Sequence, residues 1–262
     1  MIREIGVSLL AMGQAERLTD IKRRRAPQRS NGSMKNRIRR CIAELGWHSA
    51  AWYALSRLVE SVGWRLQRYL FVAQRVATEP ARQRCNGCIT VSPIVTMDEV
   101  PPGYPRCADI LSRRFRQGAH SLAAWRGEQL AGFIWYQFGA YQEDDVRVRY
   151  CLPSPHSAWD FDVFVQPEMR LGPAFCRLWD ATNRRLHAVG VQWTCSRISA
   201  FNPESLRAHR RMGATPLGSA VFLCCGEWQW MVASQFPWFH LSRHENSFPK
   251  LVFDTKALER LT

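Results

Sequence analysis

The sequence predicts an α/β (α+β) chain in which a mixed, mostly antiparallel sheet flanked by helices follows an N-terminal helical extension. Three observations predict it. Strand-like runs alternate with helical ones from residue 89 to residue 233, an order that closes into one sheet with helices on its faces. The composition, 46% hydrophobic with 11 Trp in 262 residues, is that of a globular core. The net charge of +14 is unevenly spread: residues 1–84 hold 17 Lys and Arg against 6 Asp and Glu, and residues 85–262 hold 19 against 16. The basicity belongs to the first third, so the remainder is not expected to bind nucleic acid.

The elements follow in order. Residues 1–40 read as a basic arm with Lys22-Arg23-Arg24-Arg25 and Lys35-Asn36-Arg37, too polar to order itself, and Met34 is an alternative start. Residues 41–84 form an amphipathic helical extension, one helix or a helix pair broken near Gly63, since Leu45, Trp52, Leu55, Val59, Val62 and Leu66 recur at helical spacing. That helix either packs on the main domain or meets a membrane surface or partner. Tyr69–Ala73 and Ile89–Val91 are strand-like. A Pro-rich turn after Asp98 leads into a helix with Ile110, Leu111 and Phe115. The clearest hairpin runs from His120 to Phe138 around Gly127.

After an acidic stretch, Glu143-Asp144-Asp145, the run Trp159–Val165 alternates as a strand. A helix then runs from Gly172 to about His187, and Gly190 ends it. A strand at Val191–Ile198, a helix at Pro203–Met212 and strands at Leu217–Cys225 and Trp228–Ala233 complete the main domain, residues 85–236. Residues 237–262 are left as a tail.

Nine cysteines, odd in number and irregular in spacing, point to a reducing cytoplasm rather than a disulfide set. Cys85-Asn86-Gly87-Cys88 has no second pair at a zinc-ribbon spacing, so no metal is expected. Ile5–Met12 makes a poor signal peptide, and no uncharged run nears the ~20 apolar residues of a membrane span. Nothing in the sequence speaks to oligomeric state.

Two features carry chemistry. In the first, Val163-Phe164-Val165-Gln166-Pro167-Glu168-Met169-Arg170-Leu171-Gly172-Pro173-Ala174, a strand passes through a loop straight into a helix. Such a junction offers amide N–H groups and the positive end of a helix dipole, which suit a pyrophosphate. In the second, Asn202 caps a helix, Pro203 takes its first position and Gly213 ends it, which on its own is a well-capped surface helix. The two lie one strand apart. In tandem they resemble the GNAT acyltransferase superfamily, over about residues 89–233. In that family a splayed fourth strand enters a pyrophosphate loop of the form Arg/Gln-x-x-Gly-x-Gly/Ala, and the helix after the next strand opens with Asn and closes with Gly-Phe. Gly172 and Ala174 match the last two loop positions and put Met169 where Arg or Gln is expected. Arg170 instead keeps the spacing to Pro167.

The resemblance implies an acetyl-CoA-dependent N-acyltransferase, in which a primary amine of a small molecule or peptide attacks the thioester directly in a ternary complex. A bulge on the fourth strand would free a backbone N–H at Phe164-Val165 to polarise the thioester oxygen. The amides of Arg170, Leu171, Gly172, Pro173 and Ala174 would hold the pyrophosphate, and Asn202 with Ser205 the pantetheine arm. His209 stands four residues before the closing Gly, where the family often has a proton-donating Tyr; the alternative is a structural hydrogen bond. Strand alternation puts Asp160 and Asp162 on one face, as general base or cation binder, or else paired to arginines. Cys176 and Cys195 read as core residues. The other class is a GNAT-like binding or regulatory module without catalysis, its basic arm touching nucleic acid or an anionic membrane surface; of these partners, nucleic acid is the less expected and a peripheral contact through the basic N-terminal helix the more.

Overall fold

The computed structural model describes residues 47, 50–79, 89–170, 172–244 and 246–259. The chain divides into two compact units, Met1–Ala50 and Ala51–Thr262. Of the first, only Trp47 and Ala50 are described, both helical. The basic arm of residues 1–40, the start at Met34 and the Cys85–Cys88 stretch lie outside the described residues.

In the second unit, helix α1 spans residues 51–61. The helical period turns Trp52, Tyr53, Ser56 and Val59 inward and leaves Leu55, Leu58 and Val62 exposed. Its inner side is held by Tyr53, edge-on to Phe201 at 5.9 Å, and by Trp52, which lies 5.2 Å beneath the Arg68 guanidinium. Strand β1, Arg65–Arg75, follows. Its Tyr69, Phe71 and Ala73 are buried in the core.

The remaining elements are β2 Ile89–Ile94, α2 Ala108–Arg116, β3 His120–Arg126, β4 Gln129–Phe138, β5 Ala140–Gln142, β6 Arg149–Cys151, β7 Ser157–Val165, α3 Ala174–Ala188, β8 Trp193–Ser199, α4 Pro203–Arg211, β9 Thr215–Cys225, β10 Trp228–Ala233, β11 Phe239–Ser242, β12 Lys250–Val252 and α5 Lys256–Glu259. Nine strands make one sheet in the order β11-β10-β9-β1-β8-β7-β4-β3-β2, and a three-stranded sheet has the order β12-β6-β5. Within the large sheet each neighbouring pair is antiparallel except β7–β8, which is parallel. The expected mixed, mostly antiparallel sheet is therefore present.

Two boundaries read from the sequence do not stand. Residues 41–84 are not a helical extension outside the main domain, because β1 lies in the middle of the sheet between β8 and β9. Residues 237–262 are not a tail: β11 edges the large sheet, β12 pairs with β6, and Phe253 is buried. Strands β1 and β12 find their partners far off in sequence, where local pattern carries no signal, whereas β11 folds back on its neighbour β10.

The two sheet faces hold separate cores. On one, Phe71, Phe133, Trp135, Trp159 and Phe161 pack under α2 and the small sheet, with Tyr141 stacked on Phe161 at 4.0 Å and Tyr150 on Trp159 at 4.3 Å. On the other, Leu122, Ile134 and Ala158 pack under Leu178, Trp179 and Leu186 of α3. Strand β4 is buried from Leu130 to Gln137 because both faces are covered. Among the described residues no helix is long and apolar enough to cross a membrane.

Candidate active site

The site begins where two parallel strands part. Strand β7 pairs with β8 from Ser157↔Trp193 to Asp160↔Ser196 and no further, although β7 runs on to Val165 and β8 to Ser199. Past that point β8 stays on β1, with Tyr69 opposite Ser199, while β7 stays on β4, with Gly132 opposite Val165. The result is a wedge open between residues 161–165 and 197–199.

A β-bulge accompanies the parting. Trp135 opposes Phe161 and Phe133 opposes Phe164, so Asp162 and Val163 together face Ile134. Asp162 takes the left-handed conformation at φ 51°. Gly132 makes the close approach of the strands possible there: a Cβ on it would lie under 3.0 Å from the Phe164 carbonyl oxygen and 3.2 Å from Val165 Cα. With that carbonyl turned toward β4, the trans peptide aims the Val165 N–H the opposite way, into the wedge.

The bulge also corrects the placement of the two aspartates on one face. Ala158 packs with the α3 core and Phe161 with the α2 core, but beyond the extra residue Val163 and Val165 face α3 while Phe164 faces α2. Asp160 is fully buried at the wedge apex, where the Ser196 hydroxyl donates to it at 3.0 Å. Burial pushes its pKa up to about 7, against that hydrogen bonding. Asp162 sits on the α2 side. Arg106 grips both its oxygens, and Arg114 Nη1 donates to Oδ2 at 2.6 Å. Burial alone would raise this carboxyl, but the bond from Arg106 and the charges of Arg114 and Arg106 hold it below the usual range. With its oxygens so occupied, Asp162 is an ion-paired residue rather than a base.

Those arginines belong to a larger network that local reasoning missed. Arg114 also donates to Asp144 from Nε and Nη2 at 2.9 and 2.7 Å, and Arg113 reaches Asp144 at 2.9 Å. On the opposite wall of the wedge, Arg197 of β8 forks onto Glu143 at 2.9 and 2.8 Å, touches Asp145 at 2.9 Å and lies 4.4 Å over the Tyr69 ring. The Glu143-Asp144-Asp145 stretch, legible only as an acidic loop, thus ties β7 and β8 together across the opening. The same loop rims a cavity of about 420 Å³, lined also by Arg65, Arg113, Arg147 and Gln229.

The loop after β7 is tighter than expected. Pro167–Met169 form a 3₁₀ turn, the Gln166 N–H donates to the Ala131 carbonyl, and the Gly172 N–H donates to the Met169 carbonyl at 3.0 Å. The Arg170 N–H points back to the Pro167 carbonyl at 3.5 Å, and the Arg170 Nε to the Val165 carbonyl at 3.5 Å. Pro173 has no N–H, and Leu171 lies outside the described residues. Of the amides expected from Arg170 to Ala174, those of Arg170 and Gly172 are turned into the loop itself. What remains is the first turn of α3 from Ala174, which has no side-chain cap and no acidic residue. The wedge and this helix end fit a CoA thioester; the amides of Arg170 and Gly172 do not.

On α4 the Asn202 Oδ1 accepts from the Ser205 N–H at 3.1 Å, so both residues form the helix cap. His209 is 8% exposed, edge-on to Trp179 of α3 at 6.2 Å, with Nδ1 unpartnered among the described residues. Burial pushes its pKa down to about 4. At neutral pH the ring is therefore uncharged and keeps one N–H, with which it can hydrogen-bond a sulfur. Burial also pushes the Cys195 thiol up, consistent with a core residue.

No family model matches the chain, and no curated protein matches it. Several solved structures are similar. A tandem GNAT protein from the clavulanic acid biosynthesis pathway is 13% identical, with a TM-score of 0.44 over 64% of this chain and 57% of its own. A GCN5-related N-acetyltransferase from Kribbella flavida is 12% identical, TM-score 0.36, over 66% and 64%. Another, from Sphaerobacter thermophilus, is 14% identical, TM-score 0.38, over 84% and 68%. The chain thus spans less than two thirds of the length of the first two. The strand order, the bulged β7 and its parting from β8 give the chain a GNAT-like fold.

Proposed function

We propose that this chain is an N-acyltransferase that moves an acetyl or other acyl group from a CoA thioester to a primary amine by direct attack, both substrates being held together. The observation that supports this most is the wedge between β7 and β8 with the Val165 N–H turned into it. A bound CoA thioester supplies the activated carbonyl and the thiolate leaving group. The Val165 N–H donates to the carbonyl oxygen as negative charge gathers there. The first turn of α3 faces the pyrophosphate. His209 supplies a hydrogen bond toward the sulfur.

The acceptor approaches from the α2 face, where the cavity beside Glu143–Arg147 presents charged and amide side chains, so a polar amine is the expected acceptor class. With Asp162 engaged by two arginines and Asp160 sealed at the apex, the amine gives its proton to solvent on that open side. Calorimetry with acetyl-CoA tests the reading. Absence of binding at ~100 µM, a weak concentration for a small-ligand site, removes it, and a thiol-release screen against mixed amines then identifies the acceptor.

One observation favours a second reading, a GNAT-like binding module without catalysis. The loop amides of Arg170 and Gly172 are spent internally and Pro173 lacks one. Acetyl-CoA binding without thiol release toward any amine is the outcome that separates this module from the enzyme.

A further inference from the structure

The end of the large sheet away from the wedge leaves an apolar face uncovered. Antiparallel register lines up Leu66, Leu223, Trp230 and Leu241 in one row across β1, β9, β10 and β11, and Arg68, Val221, Val232 and Phe239 in the next. Helix α1 covers the β1 end of these rows. Over β10 and β11 they lie open: Val232 is 57% exposed and Phe239 59%. Trp64, Trp230 and Trp228 stack side by side at 6.4 and 6.3 Å, and Arg243 lies 5.2 Å over Trp228. At the turn between β10 and β11, Phe236 and Trp238 stand 72% and 65% exposed, edge to face at 5.6 Å. Soluble monomers rarely expose so continuous an apolar patch without a use for it.

The charge decides what covers it. Neither row contains an acidic residue; Arg68 stands in the second, and Arg243 lies over Trp228 beside the first. A second copy would bring like charges together, whereas an anionic bilayer attracts them. Trp and Phe on an apolar face beside Arg suit the headgroup layer, where ring bodies are buried and polar edges stay wet. We propose that the β10–β11 end of the sheet, with Phe236 and Trp238 at its tip, docks peripherally on an anionic phospholipid surface.

The test is co-sedimentation of the full chain with phosphatidylcholine vesicles, with and without phosphatidylglycerol, at low and high salt. The expected result is sedimentation with the anionic vesicles that weakens with salt. The Phe236→Ser/Trp238→Ser variant should lower the partition at least about tenfold, the scale of losing one buried aromatic. Val232→Ser/Leu241→Ser should act in the same direction from the strands, and circular dichroism checks that both variants are folded. No sedimentation of the wild type with anionic vesicles overturns the proposal. So does unchanged sedimentation of both variants, which assigns binding to the basic segment alone. A wild-type dimer in sedimentation velocity that both variants convert to monomer overturns it in favour of a second copy.

Discussion

Replacing Gly132 by alanine tests whether the wedge geometry matters. The new Cβ would sit under 3.0 Å from the Phe164 carbonyl oxygen, 3.2 Å from Val165 Cα and 3.3 Å from Leu178 Cδ1. Two of these three atoms are backbone, and the third belongs to a fully buried side chain, so the strand itself must move. Restoring ordinary contact requires a displacement of about 0.5–1 Å, and overpacking of this kind costs about 1–3 kcal/mol. The atoms that move carry the Val165 N–H. A misplacement near 1 Å at a group that positions the reacting atoms lowers turnover by up to roughly 100-fold. Urea unfolding reads the stability, and thiol release from acetyl-CoA with an accepted amine reads the turnover. On the proposed function, in which the α3 end holds the pyrophosphate, acetyl-CoA affinity should change much less than turnover. A variant as stable and as active as the wild type refutes the claim that the Gly132 contact sets the position of the Val165 amide.

Other expectations follow from the charged groups. Asp160 has its carboxyl near 7 in the folded state against 3.8 when solvated. Its protonated form therefore contributes stability that is present below about pH 3.8 and lost as pH rises toward 7, a difference of roughly 4 kcal/mol. Asp160→Asn should be more stable than the wild type at pH 8 and near it at pH 4 in chemical denaturation; equal stability at pH 8 contradicts the burial of a charge there. Asp162 behaves oppositely, since its lowered pKa contributes stability above the usual carboxylate range that is lost in acid. Asp162→Ala leaves Arg106 without that partner and strips one from Arg114, and should cost about 3 kcal/mol at pH 7, read as a lower melting midpoint. His209→Ala should slow thiol release roughly tenfold, a hydrogen bond's worth, with acetyl-CoA affinity nearly unchanged; an unaffected rate removes His209 from the site.

What local sequence could show was local. Asn202, Pro203 and Gly213 bracket α4 because caps and breakers act within a few residues, and the strand–loop–helix run at Val163–Ala174 is continuous in sequence. The bulge was hidden because Asp160-Phe161-Asp162-Val163 alternates perfectly; the added residue shows only against Ile134 on the neighbouring strand. Asp162 finds Arg106 across 56 residues and Arg197 finds Glu143 across 54, separations at which charge pattern alone selects no partner. The committed amides of Arg170 and Gly172 depend on backbone angles that neither residue type announces. Tyr69–Ala73 read as strand-like because its residues suit a pleated, buried surface, but its place between β8 and β9 is tertiary.

That placement of β1 bears on how the molecule comes to exist. Tyr69 leaves the ribosome well before Ser199 and Ala220, the residues it must lie between. The first central strand made is thus among the last to be enclosed, and its apolar face waits through most of synthesis. Long-range pairing of this kind folds slowly and exposes aggregation-prone edges. One wall of the wedge, β8, has no neighbour on its outer side until β1 docks. A clone cut at residue 85 to isolate the region of family resemblance would discard that neighbour, and the wedge with it.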